Sequence, residues 1–417
     1  MQQLIDVGVN KDALLIDVGA NKDAVDKDGA TPLHWAILGE RKACADLLLA
    51  RGAAIVSKDE IGATPLHWAA DNGFTNCVAM LLNSITISSE QTASKPKSAN
   101  VLGLGGGKPP KSSAKKERRF MIDTPDNDGV TPLHLASANG HVDCVALLVK
   151  RGAATEATTK EGWTPLVCAV NRGRIDCAAH LLDNGANIDH RTKDGRTALH
   201  RACKHGDHEV VELLLYYNPK VDTVDKMSQT SLHWGAWRGN KEVVAALLDG
   251  GASVDEADED GRTPLHWAAM RGNEDCVALL LQKRAKMDAE DKEHMTPLDH
   301  AVKNGCADVE YLLRSVVMPK NAAGLATLRP GSASGAPYGA RGGSNVTSPG
   351  GYGPMTPGVQ RMEALGAAKG YGPRPGGYEP RRSGSGGGGV GAGGGGGRSG
   401  GGGYDQLQVQ LSTSRQL

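Results

Sequence analysis

A threonine followed two residues later by leucine returns at Thr31/Leu33, Thr64/Leu66, Thr131/Leu133, Thr164/Leu166, Thr197/Leu199, Thr230/Leu232, Thr263/Leu265 and Thr296/Leu298, and every step but one is 33 residues. A single globular core has no reason to obey such a period. A chain that does is built from one supersecondary unit, repeated so that each copy buries its apolar face on its neighbours. Leucine also falls seventeen residues after each threonine, at Leu48, Leu81, Leu148, Leu181, Leu214, Leu247, Leu280 and Leu313, so eight units share a core position. The exceptional step, Thr64 to Thr131, is 67 residues, two periods plus one.

Within a unit the local chemistry predicts two helices. Threonine is a good N-cap, and Pro32, Pro65, Pro132, Pro165, Pro264 and Pro297 follow it where proline's missing N–H costs nothing. Alanine recurs five residues after threonine (Gly235 once), small enough for neighbouring helices to approach closely. Gly73, Gly140, Gly173, Gly206, Gly239, Gly272 and Gly305 close the first helix. The second helix carries a 3.6-residue apolar pattern, as in Val142-Asp143-Cys144-Val145-Ala146-Leu147-Leu148. Glycine turns such as Arg51-Gly52-Ala53 end it, and aspartate-rich turns such as Asp26-Lys27-Asp28-Gly29 lead onward.

Thr31-Pro32-Leu33-His34-Trp35-Ala36 and its copies resemble the signature of the ankyrin repeat family, over roughly residues 15 to 318 apart from one insert. The resemblance implies an all-α solenoid of stacked helix-turn-helix units with projecting hairpin loops. It implies a protein-binding scaffold only generically, because function resides in the site rather than the fold. The expected organisation is a partial repeat tail at 1–25, repeats one and two at 26–83, a disordered basic insert at 84–122, repeats three to eight at 123–318 and a disordered tail at 319–417.

The 47 basic and 47 acidic residues cancel, so no global field draws the chain to nucleic acid or membrane. No apolar run approaches the length of a membrane span and no signal peptide is visible, which leads to the expectation of an intracellular protein, cytoplasmic or nuclear, and monomeric. Of the eight cysteines, Cys44, Cys77, Cys144, Cys177 and Cys276 share a frame with Val210, Val243 and Val309 and read as small core residues rather than half-cystines.

Had residues 84–122 been a degraded repeat, the second helix would have to run through Gly105-Gly106-Gly107-Lys108-Pro109-Pro110, which cannot hold it. A looped-out insertion between units that still stack is the expectation, since loop-closure entropy grows only by about 0.6 kcal/mol per doubling of length. Its cluster Lys115-Lys116-Glu117-Arg118-Arg119 suits a localisation signal or an acidic or RNA partner, with a merely solvated loop as the plainer alternative. Past Pro319, Gly, Pro, Ser, Arg and isolated Tyr cannot bury a core. The Arg/Gly/Tyr composition suits weak RNA association or a plain tether. At the other end, Leu4-Ile5-Asp6-Val7-Gly8 returns as Leu15-Ile16-Asp17-Val18-Gly19, like the tail of a repeat whose helices are absent; the expectation is either missing upstream sequence or another surface over unit one.

No catalytic constellation rises above the repeat background, and no cofactor is implied. Six histidines, His34, His67, His134, His200, His233 and His266, each sit in their own repeat; in the ankyrin family this histidine bonds neighbouring backbone and threonine. The densest metal-like group, His200, Cys203, His205 and His208, straddles a helix and a glycine turn whose directions diverge, so no metal site is expected.

Departures from the pattern are what distinguish one array from another. The family resemblance places a concave groove along the hairpin tips and the last residues of the first helices. There this chain turns basic and aromatic in its later units: Arg172, Lys204, His205, Trp237, Arg238, Met270, Arg271 and Lys303 on the helices, with Trp163, Arg196 and Arg262 at the tips. Tryptophan and arginine are common interface anchors. These residues form the candidate binding stripe for an acidic or mixed acidic and apolar protein segment, against the alternatives of ordinary solvated surface and of RNA association through insert and tail. Trp35, Trp68, Trp234 and Trp267 recur in one frame and read as packing.

Overall fold

The structure, a computed structural model, describes residues 20–94 and 118–317, without the side chains of 88–94 and 317. The expected tail at 319–417, most of the insert and residues 1–19 lie outside the described residues.

Sixteen helices pair into eight units, with no strand among the described residues: α1 (Pro32–Leu38) with α2 (Lys42–Ala50), α3 (Pro65–Asn72) with α4 (Thr75–Ser94), α5 (Pro132–Asn139) with α6 (Val142–Lys150), and α7 (Pro165–Asn171) with α8 (Ile175–Asp183). The later units are α9 (Ala198–His205) with α10 (His208–Tyr216), α11 (Ser231–Arg238) with α12 (Lys241–Asp249), α13 (Pro264–Arg271) with α14 (Glu274–Gln282), and α15 (Pro297–Lys303) with α16 (Ala307–Val317). First helices stack on first helices of adjacent units and second on second. The result is the all-α solenoid that the ankyrin resemblance implies.

Threonine does cap each first helix from an extended conformation, and in six units histidine completes the cap. The Thr31 N–H donates to His34 Nδ1 at 3.1 Å, while His34 Nε2 lies 3.2 Å from the Ala63 carbonyl oxygen. A carbonyl can only accept, so Nε2 carries the proton and Nδ1 does not. Each such ring is therefore a neutral strut from its own cap to the residue before the next unit's threonine. Unit four has Val167 instead of histidine. There the carbonyl it would have met, that of Arg196, accepts from the Thr192 hydroxyl at 2.9 Å, which also reaches Asp194. In unit eight, Asp299 Oδ2 takes the Thr296 N–H at 2.8 Å.

The core runs continuously along the stack. The leucines two and seventeen residues after threonine are buried in every unit, except Leu298 in the last, which is half-buried. Burying a leucine contributes roughly 1.5–3 kcal/mol. The eight cysteines are free thiols, and Cys77, Cys144, Cys177, Cys203 and Cys276 are buried among these leucines; burial pushes the Cys177 thiol up to about 12 and Cys276 to about 11. They are packing residues. Polar side chains tie successive units at the helix ends: Asn273 Nδ2 donates to the Ala236 carbonyl at 2.7 Å, Asn240 Nδ2 to that of Gly206 at 2.9 Å, and Arg174 Nε to that of Ala138 at 3.2 Å. Carbonyls left orphaned at a helix C-terminus are thus satisfied by the next unit.

The insert departs from expectation at its edges. Residues 84–94 are helical, continuing α4, and residues 118–122 form a helical turn; Ile85 and Ile122 are both buried. In units one and three to seven the residue twenty-one after threonine adopts positive φ and stops the second helix, as Gly52, Gly152, Gly185, Asn218, Gly251 and Arg284 do. Unit two has Ile85 there. A β-branched side chain avoids that conformation, so the helix runs on. Asp123 resumes the frame, its Oδ1 accepting from Ala154 N at 2.8 Å as Asp23 Oδ1 accepts from Ala54 N at 2.8 Å. Units two and three are in direct contact across the insertion: Asn127 N donates to the Ile61 carbonyl at 3.0 Å, and Asn139 Nδ2 to the Asp71 carbonyl at 2.9 Å.

Candidate partner-binding groove

The first helices end in a row of side chains set one unit apart. Arg172, Lys204, His205, Arg238, Arg271 and Lys303 are exposed there, with Trp237 and Met270 half-buried between them. Helix geometry brings these together because the last turn of each first helix precedes a glycine or tight turn that ends the helix in the same orientation. Trp237 is the aromatic centre of the row: the Arg271 guanidinium stacks 4.5 Å from its centroid, and its ring meets Trp267 edge-on at 5.2 Å. His205 Nε2 lies 3.0 Å from Asn171 Oδ1 of the preceding unit, and burial lowers the basicity of its ring. Lys303 pairs with Glu293 at 3.6 Å.

The three tip residues differ from the helix residues. Trp163 is not presented to solvent: only 9% exposed, it packs in the core, its carbonyl accepts from His134 at 2.9 Å, and its ring is covered by the Arg201 guanidinium at 4.6 Å. Its expected place among the groove contacts is corrected to packing. Arg196 and Arg262 are tied into their own surroundings. Arg196 Nε donates to Asp225 Oδ2 at 3.1 Å, its Nη1 pairs with Asp194 at 3.2 Å, and its guanidinium stacks 4.5 Å over Trp234. Arg262 pairs with Asp260 at 3.1 Å and Asp291 at 3.5 Å.

Between units five and six these contacts form a concentrated charged cluster. Arg196 and Arg201 converge on Asp194, the latter at 2.8 Å, and Lys204 Nζ stands 5.5 Å from the Trp234 ring that Arg196 also covers. Partial burial, then the charges of Arg196 and Arg201, hold the Lys204 ammonium below its ordinary pKa despite Asp194. Burial opposes ionisation of Asp194, but the Thr192 hydroxyl, Arg201 and Arg196 hold its carboxyl below the usual value. Arg201 was not among the candidate residues; it occupies the frame of Trp35, Trp68, Trp234 and Trp267, and that substitution was the visible signal.

Those tryptophans do pack. Trp35, Trp68 and Trp267 donate through Nε1 to Asp26, Asp59 and Asp258 at 2.7, 2.9 and 2.9 Å. The four residues of the metal-like group part company: His200 and Cys203 are buried, His205 faces Asn171, and His208 lies 3.4 Å from Glu212. Among the described residues no cluster of three or more His, Cys, Asp or Glu side chains is placed to hold a metal, and no helix is long and apolar enough to cross a membrane. Of the basic cluster in the insert, Lys115 and Lys116 lie outside the described residues, while exposed Arg119 pairs with Asp123 at 3.4 Å and Arg118 is half-buried.

Comparison with known proteins agrees with the architecture. Over 97 residues, 22% of this chain, the sequence is 35% identical to a protein described as probable E3 ubiquitin-protein ligase XBOS33 of Oryza sativa subsp. japonica; the match spans 19% of that relative's length. The family described as ankyrin repeats (3 copies) matches residues 10–91, 113–192, 180–258 and 250–321, leaving out only the middle of the insert between the first and last matched residues. The chain belongs to the ankyrin repeat family, and its repeats form a protein–protein interaction module of a generally non-catalytic kind.

Proposed function

We propose that this protein is a non-catalytic scaffold or adaptor whose first-helix ends in units four to eight hold an acidic or mixed acidic and apolar segment of a partner protein. The observation that carries the reading is the Trp237–Arg271 stack at 4.5 Å, flanked by exposed Arg172, Lys204, His205, Arg238 and Lys303. A half-buried indole with a guanidinium on its face offers an apolar anchor and a charge-assisted donor together. Exposed cations around it add steering rather than bulk affinity. Work as a monomer in the cytoplasm or nucleus is part of the same proposal. The stretch shared with the rice protein is too short a part of that relative to bring a ligase activity with it.

The test is affinity capture with the full chain beside an Arg172→Glu/Arg238→Glu/Arg271→Glu variant whose helicity matches by circular dichroism. A protein lost only from the variant is the expected result. Identical recovery from both, or recovery of RNA-dependent species alone, overturns the reading and moves attention to the basic insert and the Gly-rich tail.

A further inference from the structure

The tryptophan frame contains one exception. In units one, two and seven the indole Nε1–H donates to the aspartate five residues before the unit's threonine. Unit six has both parts, Trp234 and Asp225, yet Trp234 Nε1 is buried with no acceptor among the described residues. Asp225 is in place: its Oδ1 accepts from Met227 N at 2.9 Å and Gln229 N at 3.1 Å, as its counterparts do. Its Oδ2, the oxygen that binds indole elsewhere, is occupied by Arg196 Nε at 3.1 Å. That arginine comes from the preceding hairpin, at a position where other units carry Ala30, Ala63, Val130, Trp163, Gln229, Arg262 or Met295.

A buried indole N–H without an acceptor is costly, and the same is true of a buried carboxylate without a donor. The two groups would satisfy one another if Arg196 let go. The arginine is held in a cluster where Arg196 and Arg201 converge on Asp194, Arg196 also pairs with Asp225, and the two guanidinium charges act against the Lys204 ammonium, so an added anion would relieve repulsion between like charges. Lys204 is exposed and stands over the same Trp234 ring as Arg196.

We propose that Arg196 is an exchangeable anchor for a carboxylate side chain of the partner: an incoming Asp or Glu takes the Arg196 guanidinium together with Lys204, and the released Asp225 Oδ2 accepts the Trp234 Nε1–H. The exchange costs little because each bond broken is replaced. Arg–carboxylate pairing is kept with a new carboxylate, and the indole gains the acceptor that its counterparts already have. An apolar neighbour of that carboxylate has the Trp237 ring one helical turn from Trp234 to rest on. This deepens the proposed function and rests on it.

The experiment uses the full chain and a synthetic peptide of alternating Glu and Leu, with its Gln/Leu counterpart as control, followed by indole N–H resonances assigned through a Trp234→Phe variant. Expected is binding of the Glu peptide over the Gln peptide, a downfield shift of the Trp234 indole proton on saturation, and an affinity about tenfold weaker or more in Arg196→Gln. Glutamine stands at this frame naturally as Gln229, so Arg196→Gln should fold, with circular dichroism as the check. Arg196→Gln should also show the shifted indole proton without peptide. Glu peptide binding with an unmoved Trp234 resonance, or equal affinity in Arg196→Gln, overturns the exchange while leaving the groove reading standing. Failure of the Glu peptide to bind wild type in preference to the Gln peptide overturns both.

Discussion

His67 donates its Nε2–H to the main-chain carbonyl of Val130 at 3.0 Å, across 63 residues of chain, and so fastens unit two to unit three past the insertion. Its Nδ1 meanwhile accepts the Thr64 N–H at 3.0 Å. One ring serves two backbone groups, and unit four indicates what can replace it: Val167 is tolerated where Thr192 supplies a hydroxyl to the carbonyl at stake. The position equivalent to Thr192 in unit three is Asp126, which has no proton to give at neutral pH. His67→Val should therefore destabilise the array by about 1–3 kcal/mol, the cost of a buried polar group left without its partner. Adding Asp126→Thr should restore part of the loss. Urea unfolding of the single and double variants decides this, and no recovery in the double variant would remove the compensation argument.

The same histidines make the fold acid-labile. Burial holds the His67, His134 and His200 rings at about 4 and lowers those of His34, His233 and His266. Geometry supplies a second reason, since a proton added at Nδ1 would face the threonine N–H. A folded-state pKa below the unfolded 6.5 means that the unfolded chain binds more protons on acidification. Stability is then complete above about pH 6.5 and declines as pH falls toward about 4. Each ring contributes about 1.4 kcal/mol per pH unit within that window, so the three with the largest shifts together contribute on the order of 4 kcal/mol per pH unit. The carboxylate of Asp291, lowered to about 2 despite opposing desolvation by bonds from Met295 N, His300 and Glu293 N, adds loss only below its ordinary 3.8. Urea midpoints at about pH 7 and about pH 5 separate these windows; equal midpoints would contradict the histidine account.

Much of this was legible in the residues themselves. Threonine caps, closing glycines and the leucine frame are dictated by local backbone geometry and period, so the all-α stack follows directly. Ile85 was equally visible as the wrong residue for a left-handed stop, and reading it that way would have predicted the extension of α4. The candidate groove divides along the same line. Helix-end residues such as Arg238 and Arg271 are placed by the helix and emerge exposed. The fate of a tip residue depends on a side chain a full unit away: Arg201 covers Trp163, and Asp225 and Asp291 hold Arg196 and Arg262. Such pairings cross units and obey no single-unit pattern.

Unit one breaks the glycine rule, and it should be improvable there. Glu40 occupies the left-handed position with φ 51°, where the equivalent residue in unit two is Gly73 with φ 74°. A side chain costs roughly 1 kcal/mol or more in that conformation. Glycine removes the strain while adding flexibility to the unfolded chain, which offsets a part of the gain. Glu40→Gly should raise stability by about 0.5–1 kcal/mol, read as a higher urea midpoint with unchanged slope. A lower midpoint would mean that the Glu40 side chain contributes more than its strain costs.

Gly239 and Gly305 hold equivalent positions with φ 81° and 71°, yet their surroundings differ. A Cβ on Gly239 would lie 2.5 Å from Asn273 Oδ1, whereas one on Gly305 meets nothing within 4 Å. Gly305→Ala should then cost only the backbone strain, about 1–2 kcal/mol. Gly239→Ala adds a clash that pushes Asn273 off the Ala236 and Trp237 carbonyls it bonds at 2.7 and 3.1 Å. Its cost should exceed that of Gly305→Ala by roughly 1–3 kcal/mol, the loss of satisfied buried carbonyls. Asn273→Ala alone forfeits those bonds but removes the obstruction. The double variant Gly239→Ala/Asn273→Ala should therefore be more stable than the sum of its single effects, with a coupling of about 1 kcal/mol or more. Additive effects would show that Asn273 can move aside without loss, and that the contact between units six and seven does not depend on its position.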